Sequence, residues 1–310
     1  NSLFLKKQLI STLKKSCMSN ILVTGANGQL GSELKDLSSL YPNDTFIFTD
    51  VAELDICNHT AVKQFIVKNE INIIINCAAY TAVDKAEEQE DLANAINHLA
   101  VKNFASIAKE FNIKLIHIST DYVFDGTNHV PYQETDEPNP QSVYGQTKLD
   151  GELAIQKINP ANTIIIRTSW VYSNYGNNFV KTMLRLGKER KELGVIVDQI
   201  GTPTYARDLA KTVLEIFPSI NNKNVELFHF SNEGVCSWYD FAKAIFEIKG
   251  INVKVNAIET FQYPTAAKRP SYSALNKRKI KNKFQVEIPN WKDSLTVSLH
   301  RLNVQKQNNA

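Results

Sequence analysis

The feature of this 310-residue sequence that most constrains its fold is a repeated alternation of short apolar segments with amphipathic ones. The apolar segments are rich in β-branched residues, and the segments between them carry leucine, isoleucine and alanine at helical spacing. The strands are predicted over residues 20–25, 44–50, 71–80, 113–120 and 162–170. They are apolar throughout, as a sheet covered on both faces requires. We therefore predict an α/β fold with a doubly wound parallel sheet and right-handed crossovers.

A glycine-rich turn follows the first predicted strand. Gly25, Gly28 and Gly31 lie in "GANGQLG", between that strand and a predicted helix. Glycine permits a tight turn and lets the backbone approach a pyrophosphate, whose charge is favoured by the free N–H groups of a helix N-terminus. Three glycines alone are a weak signal, but the strand–turn–helix context indicates a Rossmann-type dinucleotide site.

Asp50 ends the second predicted strand, 19 residues after Gly31. An acid at this point accepts hydrogen bonds from an adenosine ribose and repels a 2′-phosphate, and no arginine follows at positions 51 or 52. We therefore expect NADH or NADPH as the cofactor, with NADH favoured. Ala78 and Ala79, in "CAAY", leave room for a flat cofactor; ordinary close packing is the alternative explanation.

The glycine turn and the loosening of the pattern after residue 170 suggest a division into domains. We predict a dinucleotide-binding domain over residues 18–170, to which residues 195–230 return. Residues 171–310 are expected to form mainly a smaller C-terminal α/β substrate domain. The lysine-rich residues 1–17 are expected to be a poorly ordered leader. One long helix is predicted over residues 90–112. Beyond residue 170, helices are predicted over residues 177–192, 206–217 and 237–250, and a strand over residues 194–199. The last part of the chain is expected to be mixed and polar.

Tyr144 and Lys148 lie four residues apart in a predicted helix and therefore share one face. A tyrosine hydroxyl has a pKa of about 10, and a nearby ammonium lowers that pKa toward the range useful for proton transfer. Such a pair can donate a proton to a carbonyl oxygen while hydride reaches the carbon. On an arbitrary helix the same pair is a surface feature, so its interpretation depends on the dinucleotide fold before it.

Thr120 ends the predicted strand 113–120, in "STDYVFDG". Ligands of open α/β sheets bind at the carboxyl ends of the strands. We expect the Thr120 hydroxyl to lie beside Tyr144, where two donors would stabilise charge on one carbonyl oxygen. A polar start to a loop is the alternative. His117, inside the same strand, is interpreted as a packed core histidine rather than a catalyst.

The composition gives little support to other classes of partner. The net charge of +3 with 22% charged residues offers no strong case for nucleic acid or a membrane surface. No run approaches the roughly 18 apolar residues of a membrane span. The cysteines at positions 17, 57, 77 and 236 form neither a CxxC pair nor a close cluster. No zinc site or disulfide framework is expected, and a cytoplasmic location fits.

These motifs resemble those of the extended short-chain dehydrogenase/reductases, and more closely those of the dTDP-4-dehydrorhamnose reductases. The resemblance extends from about residue 20 to about residue 276. The segments that carry it, in chain order, are "AAYTAVDKAE", "STDYVFDG", "YGQTKLDGE", "RTSWVYSNYGNNFVKTM", "DQIGTPTYARDLA" and "RPSYSAL". No one of them is decisive, but six in the right order are strongly specific.

The resemblance implies reduction of the C4 keto group of dTDP-4-dehydro-β-L-rhamnose to give dTDP-L-rhamnose, a sugar donor for polysaccharides. Tyr144 would be the general acid, Lys148 would tune it and hold the nicotinamide ribose, and Thr120 would bind the substrate oxygen. The implied cofactor contacts are Gly25, Asn27, Gly28, Gln29, Leu30, Asp50, Asp55, Ile56, Ala78, Ala79, Tyr80, Tyr144 and Lys148. The implied substrate contacts are Val83, Asp84, Thr120, Asp121, Trp170 and Arg269.

Some of these expectations have equal alternatives. Arg269, in "KRPS", suits a diphosphate, but it also fits a surface cation in a basic tail. Magnesium enters only through the resemblance, because some family members are described as magnesium-dependent and the sequence offers no metal site. The expected partner is a nucleotide sugar, with a homodimer as one open assembly and with neither nucleic acid nor membrane.

Two other functions stay open in the sequence. The regulatory β-subunit of methionine adenosyltransferase also resembles this family, and such a protein would bind a dinucleotide and a partner without turning over sugar. A related nucleotide-sugar dehydratase, epimerase or reductase is the second alternative. Dehydratases usually carry an acidic pair beside the strand-tip Ser/Thr, whereas this chain has Tyr122 after Asp121.

Overall fold

The computed structural model describes residues 18–308 of the chain, and the side chains of residues 18–304. The predicted leader, residues 1–17, lies outside the described residues. The strands are β1 (Asn20–Thr24), β2 (Thr45–Thr49), β3 (Ile73–Asn76), β4 (Lys114–Thr120), β5 (Thr163–Thr168), β6 (Val171–Tyr172), β7 (Glu192–Ile196), β8 (Ile200–Gly201), β9 (Thr204–Tyr205), β10 (Glu226–His229), β11 (Cys236–Ser237) and β12 (Lys254–Ile258). The helices are α1 (Gln29–Ser38), α2 (His59–Lys68), α3 (Val83–Ala86), α4 (Glu90–Asn94), α5 (Ala100–Phe111), α6 (Val143–Ile158), α7 (Phe179–Glu189), α8 (Ala206–Ile216), α9 (Trp238–Lys249), α10 (Arg278–Phe284) and α11 (Trp291–Asn308).

The central sheet has six parallel strands in the order β2–β1–β3–β4–β5–β10. The direction of the strand order reverses between β1 and β3. In open α/β sheets a ligand crevice lies outside the carboxyl ends of the strands at such a point. The predicted doubly wound parallel sheet is confirmed.

Helices cover both faces of this sheet. On one face α1 and α8 pack against alternate residues of the strands, such as Ile21 and Val23, and bury Leu34 and Leu209. On the other face α2, α5 and α6 pack against the intervening residues, such as Leu22. Both faces are therefore buried, which explains why the strands are apolar at every position rather than at alternate ones.

Two predicted elements differ from those observed. The strand predicted over residues 71–80 ends at Asn76, and irregular backbone then runs along the carboxyl edge of the sheet to α3. The single helix predicted over residues 90–112 contains a π-helical turn, Ala95–Leu99, between α4 and α5. Such turns frequently mark functional sites, and this one brings the buried side chain of Asn97 toward the irregular segment.

The C-terminal half adds a second cluster of elements. β7 pairs with β12, and α7, α9 and α11 pack around them. The last part of the chain was expected to be mixed and polar, but it contains α10 and the long helix α11. Leu295, Leu299 and Leu302 occupy one face of α11 and are buried. β10, in contrast, joins the central sheet beside β5.

A buried glutamate joins elements from distant parts of the chain. Glu33, on α1, is fully buried and accepts hydrogen bonds from Arg207 at 3.0 Å and Arg301 at 3.1 Å. Ser173 donates to the same carboxylate at 2.7 Å. Two guanidinium groups and a hydroxyl offset the cost of burying this charge, because a buried carboxylate is tolerated only when it is paired.

Candidate active site

The glycine turn lies directly against the backbone that follows β3. Gly25 has a φ of +66°, and a Cβ atom there would come within 2.7 Å of the Ala78 nitrogen. A side chain at Gly31 would collide with the backbone of Gly25 and Ala26. Only glycine fits at these two positions. The N-terminus of α1, at Gly28, has no side-chain cap, so its first N–H groups have no side-chain acceptor and suit an anionic ligand.

Gln29 and Leu30 begin α1 but point in different directions. Gln29 bonds to Val171 and Asn178, which links the turn to the C-terminal half of the chain. Leu30 is buried in the core.

The Asp50 carboxylate is fixed to the glycine turn. It accepts hydrogen bonds from the backbone N–H of Asn27 at 2.9 Å and from that of Val51 at 2.8 Å. Asp50 therefore stands beside the turn, as a ribose-binding acid must. Asp55 is exposed a few residues later, where it bonds to the backbone of Cys57, and Ile56 is mostly buried.

The segment Ala78–Ala79–Tyr80 is held at the sheet edge by Asn97. The Tyr80 N–H donates to Asn97 Oδ1 at 2.9 Å, and Asn97 Nδ2 donates to the Tyr80 carbonyl at 3.1 Å. Asn97 Nδ2 also lies 3.2 Å from the Thr147 hydroxyl on α6. Sequence reasoning missed Asn97; its signal is a polar residue at a buried position of a helical pattern.

Thr120 and Tyr144 are brought together at the end of β4. The two side chains lie close enough for Thr120 to act on the pKa of Tyr144, and both are mostly buried. The Tyr144 ring also packs edge-on against Tyr122, with ring centroids 5.4 Å apart. Burial raises the pKa of Tyr144 to about 12, and the nearby Thr120 hydroxyl opposes that rise. The phenol is therefore protonated at neutral pH.

Lys148 shares the face of α6 with Tyr144 but points toward β4. Its Nζ donates to the Ile118 carbonyl at 2.6 Å and lies 3.4 Å from Nε2 of His117. Burial lowers the pKa of Lys148 to about 8, and the carboxylate of Glu152 opposes that change. We expected Lys148 to lower the pKa of Tyr144. In this structure burial dominates and the pKa of Tyr144 is raised instead.

Asp121 follows Thr120 and is almost completely buried. Its carboxylate accepts a hydrogen bond from the Thr120 hydroxyl at 3.0 Å. Burial raises the pKa of Asp121 to about 6, while the nearby Ser273 hydroxyl and the hydrogen bond from Thr120 oppose the rise. Ser273 comes from the C-terminal half, and its proximity to Asp121 is a long-range contact with no local signal. The carboxyl group therefore titrates close to neutral pH beside the reacting groups.

A cavity of about 570 Å³ opens beside Tyr122, between the sheet edge and the C-terminal half. Trp170 and Trp238 are in its wall and stack with ring centroids 3.6 Å apart. Trp170 has a φ of +49°, a rare conformation for a bulky residue. The cationic residues that line the cavity are Arg185, Arg190 and Arg269. Aromatic rings with guanidinium groups suit a nucleotide carrying a diphosphate.

Val83 and Asp84 lie on α3, close to these groups. Val83 packs in a cluster with Tyr144 and Tyr122. Asp84 accepts two hydrogen bonds from Arg269, which holds the pKa of its carboxyl below the usual range. The structure thus pairs two residues that the sequence suggested separately as substrate contacts.

Comparison with known proteins is consistent with this geometry. The family model described as RmlD substrate binding domain matches residues 18–304. The chain belongs to this family. A dTDP-4-dehydrorhamnose reductase from Aggregatibacter actinomycetemcomitans is 43% identical over 290 residues, which cover 90% of this chain and 97% of that one. The family resemblance predicted from the sequence is confirmed.

Solved structures of the RmlD family have the same fold. A dTDP-4-dehydrorhamnose reductase from Clostridium acetobutylicum is 48% identical with a TM-score of 0.87, over 92% of this chain and 99% of that one. One from Bacillus anthracis, in complex with NADP, is 39% identical with a TM-score of 0.87 and the same coverage. A nicotinamide cofactor follows from this relationship.

Two kinds of feature are absent from the described residues. Among residues 18–308, no group of three or more His, Cys, Asp or Glu side chains could hold a metal ion. Within the same residues, no helix is both long and apolar enough to cross a membrane.

Proposed function

We propose that this chain reduces the C4 keto group of dTDP-4-dehydro-β-L-rhamnose to give dTDP-L-rhamnose. The observation that carries the proposal is that the hydroxyl-bearing side chains of Thr120 and Tyr144 lie together, mostly buried, at the carboxyl end of β4. Two O–H groups converge there in a chain whose relatives are named dTDP-4-dehydrorhamnose reductase.

Tyr144 is the proton donor in this proposal. A protonated phenol is the correct state for a reduction, and the raised pKa of Tyr144 keeps it protonated. The phenol releases its proton when negative charge develops on the substrate oxygen. The Thr120 hydroxyl, which donates to Asp121 in the structure, turns to donate a second hydrogen bond to the same oxygen. Lys148 holds the nicotinamide ribose beside them, and Asp121 contacts the sugar.

The glycine turn and Asp50 hold the dinucleotide, and the bound nicotinamide supplies the hydride. The expected contacts are those named above from Gly25 to Leu30, at Asp55 and Ile56, and at Ala78 to Tyr80. The carboxylate of Asp50 favours a ribose hydroxyl over a 2′-phosphate, which supports NADH. The Bacillus anthracis relative in complex with NADP is an argument for NADPH. We propose that both are accepted and that NADH is preferred.

The cavity holds the nucleotide sugar. Val83 and Trp170 contact the sugar, and Arg269 contacts the diphosphate while Asp84 keeps its guanidinium in place. Arg185 and Arg190 add positive charge to the same cavity. A cavity of about 570 Å³ is within the range usual for small-molecule sites.

The proposal also covers the cellular location and the assembly of the protein. The free thiols of Cys57, Cys77 and Cys236 are compatible with a reducing compartment, and we propose a cytoplasmic location. A homodimer is the simplest assembly to test. The division into a dinucleotide-binding domain over residues 18–170, with residues 195–230, and a substrate domain is also retained as a proposal.

The experiment that tests the function is NADH or NADPH oxidation with dTDP-4-dehydro-L-rhamnose generated in place. GDP- and UDP-linked keto sugars serve as matched substrates. We expect oxidation with the dTDP sugar alone. Oxidation only with another sugar would keep the reaction and change the substrate. No oxidation by folded protein that binds NADH would favour the regulatory-subunit alternative.

A further inference from the structure

A chain of buried polar side chains crosses the sheet and ends at Lys148. Thr24 on β1 donates to Asn76 Oδ1 on β3 at 2.7 Å. Asn76 Nδ2 lies 3.0 Å from Nδ1 of His117 on β4. Nε2 of the same ring lies 3.4 Å from Lys148 Nζ. Each of the four residues is at most 1% exposed. His117 is therefore more than a packed core residue.

The contact with Asn76 fixes the tautomer of His117. An amide nitrogen can only donate, so Nδ1 of His117 must accept, and a neutral ring then carries its proton on Nε2. The hydroxyl of Thr24 holds the Asn76 amide in this orientation by donating to its oxygen. Burial and the nearby Lys148 keep the pKa of His117 well below its usual range, so the ring stays neutral.

The N–H on Nε2 consequently faces the amine of Lys148. An N–H donor in that position disfavours the ammonium form of Lys148, because an ammonium group can only donate. The neutral amine has a lone pair and can accept from this N–H. Three other groups act on Lys148. The carbonyl of Ile118 accepts from its Nζ, and the nearby Glu152 carboxylate and Cys77 thiol favour its positive charge.

We propose that Asn76 and His117 are positioning residues for Lys148, because the tautomer imposed by Asn76 aims an N–H at the amine and weakens its basicity. The inference rests on the proposed function for its significance, since Lys148 is the lysine assigned to the nicotinamide ribose. Burial already lowers the pKa of Lys148, and the imidazole N–H acts in the same direction. An amine that titrates near neutral pH changes charge within the working range of an enzyme.

The test is a pH titration of the lysine side chains, followed by NMR in protein labelled with 13C at lysine and free of nucleotide. The Lys148 signal is assigned by its absence in Lys148→Met. His117→Asn keeps a polar partner for Asn76 but removes the N–H that faces Lys148. Asn76→Leu keeps the imidazole and the packed volume but releases its tautomer. In both variants we expect the pKa of Lys148 to rise by about one pH unit.

His229→Leu is the matched control, because His229 is equally buried but lies on β10 and has no contact with Lys148. There the pKa of Lys148 should stay unchanged. An unchanged or lower pKa in His117→Asn or in Asn76→Leu would overturn the proposal. A rise in His117→Asn alone would also overturn it, because water entering the vacated space would then explain the change.

Thr24→Val is the milder variant if either of the other two does not fold. It removes only the hydroxyl that orients the Asn76 amide, so the expected rise is smaller but has the same sign, and no rise would overturn the proposal. The titration needs no turnover. A protein that shows these shifts but does not reduce the dTDP sugar would therefore refute the proposed function and leave this inference intact.

Discussion

Arg269 and Asp84 are joined by two hydrogen bonds, of 2.7 and 3.0 Å, although 185 residues separate them in the chain. The pair connects the C-terminal half to α3, which follows the third strand of the sheet. The guanidinium group is only partly exposed and lies in the cavity wall. Asp84 thus fixes the orientation of a cation that a diphosphate can approach.

The Arg269→Ala variant should raise the KM for the nucleotide sugar by roughly 10- to 100-fold, because a hydrogen bond to a charged group contributes about 1.5–3 kcal/mol. Asp84→Asn should raise it less, since the arginine remains. Steady-state kinetics measure both. Lys268→Ala is the neighbouring exposed control and should have no effect. An unchanged KM in Arg269→Ala would exclude the diphosphate contact.

The Tyr144→Phe variant should lower kcat by about 10²- to 10⁴-fold, the usual contribution of general acid catalysis. The dissociation constant for NADH should stay near that of the parent protein, because the ring is retained. Tyr239→Phe, on α9, controls for the loss of a hydroxyl elsewhere. If Tyr144→Phe turned over substrate at the parent rate, Tyr144 would have no part in the proton transfer.

The Asp50→Ala variant should weaken NADH more than NADPH, because it removes both an acceptor for the ribose hydroxyl and a repulsive charge near a 2′-phosphate. The ratio of kcat/KM for the two cofactors is the informative quantity. Loosening of the Asn27 contact would affect both cofactors alike. Asp44→Ala, before β2, provides the control. Equal losses for NADH and NADPH would contradict the ribose contact.

The Asp121→Asn variant should make the unliganded protein more stable at neutral pH while impairing turnover. The folded-state pKa of Asp121 is raised to about 6 from 3.8, so folding favours the protonated form. Stability contributed by this group is fully present below pH 3.8 and is lost as the pH rises to about 6. The shift of about two units corresponds to about 3 kcal/mol.

Thermal unfolding of Asp121→Asn from pH 4 to pH 8 measures this effect. The gain in Tm over the parent protein should grow with pH up to about 6 and then level off. Asp125→Asn is a control of opposite sign, because hydrogen bonds from Thr127 lower the pKa of Asp125 to about 2. Equal Tm values for the parent protein and Asp121→Asn at pH 8 would contradict this prediction. They would show that ionising the buried Asp121 carboxyl costs the folded protein no stability.

The parts of the site that are local in sequence were predictable. The glycine turn needs only a strand, three glycines and a helix, and Tyr144 and Lys148 share a face because helical geometry requires it. Thr120 follows from the rule that ligands bind at strand carboxyl ends. The fold class follows from apolar strands alternating with helices.

The parts that depend on distant contacts were not predictable. Nothing in the sequence indicates that Asn97 holds Tyr80, or that Asp84 meets Arg269. The Lys148 side chain points toward the Ile118 carbonyl on β4, a contact that the sequence does not indicate. Burial of Tyr144 raises its pKa, whereas we expected Lys148 to lower it. For α11 a signal existed. Its buried leucines recur at helical spacing within a polar segment.

The stacked pair of Trp170 and Trp238 has an optical consequence. The chain contains three tryptophans, and these two line the cavity. The third, Trp291, packs edge-on against Phe241 in the C-terminal cluster, with ring centroids 5.8 Å apart. Two of the three indole fluorophores therefore lie at the cavity wall. A ligand that enters the cavity will change that emission, so the protein carries an unlabelled reporter of its own occupancy.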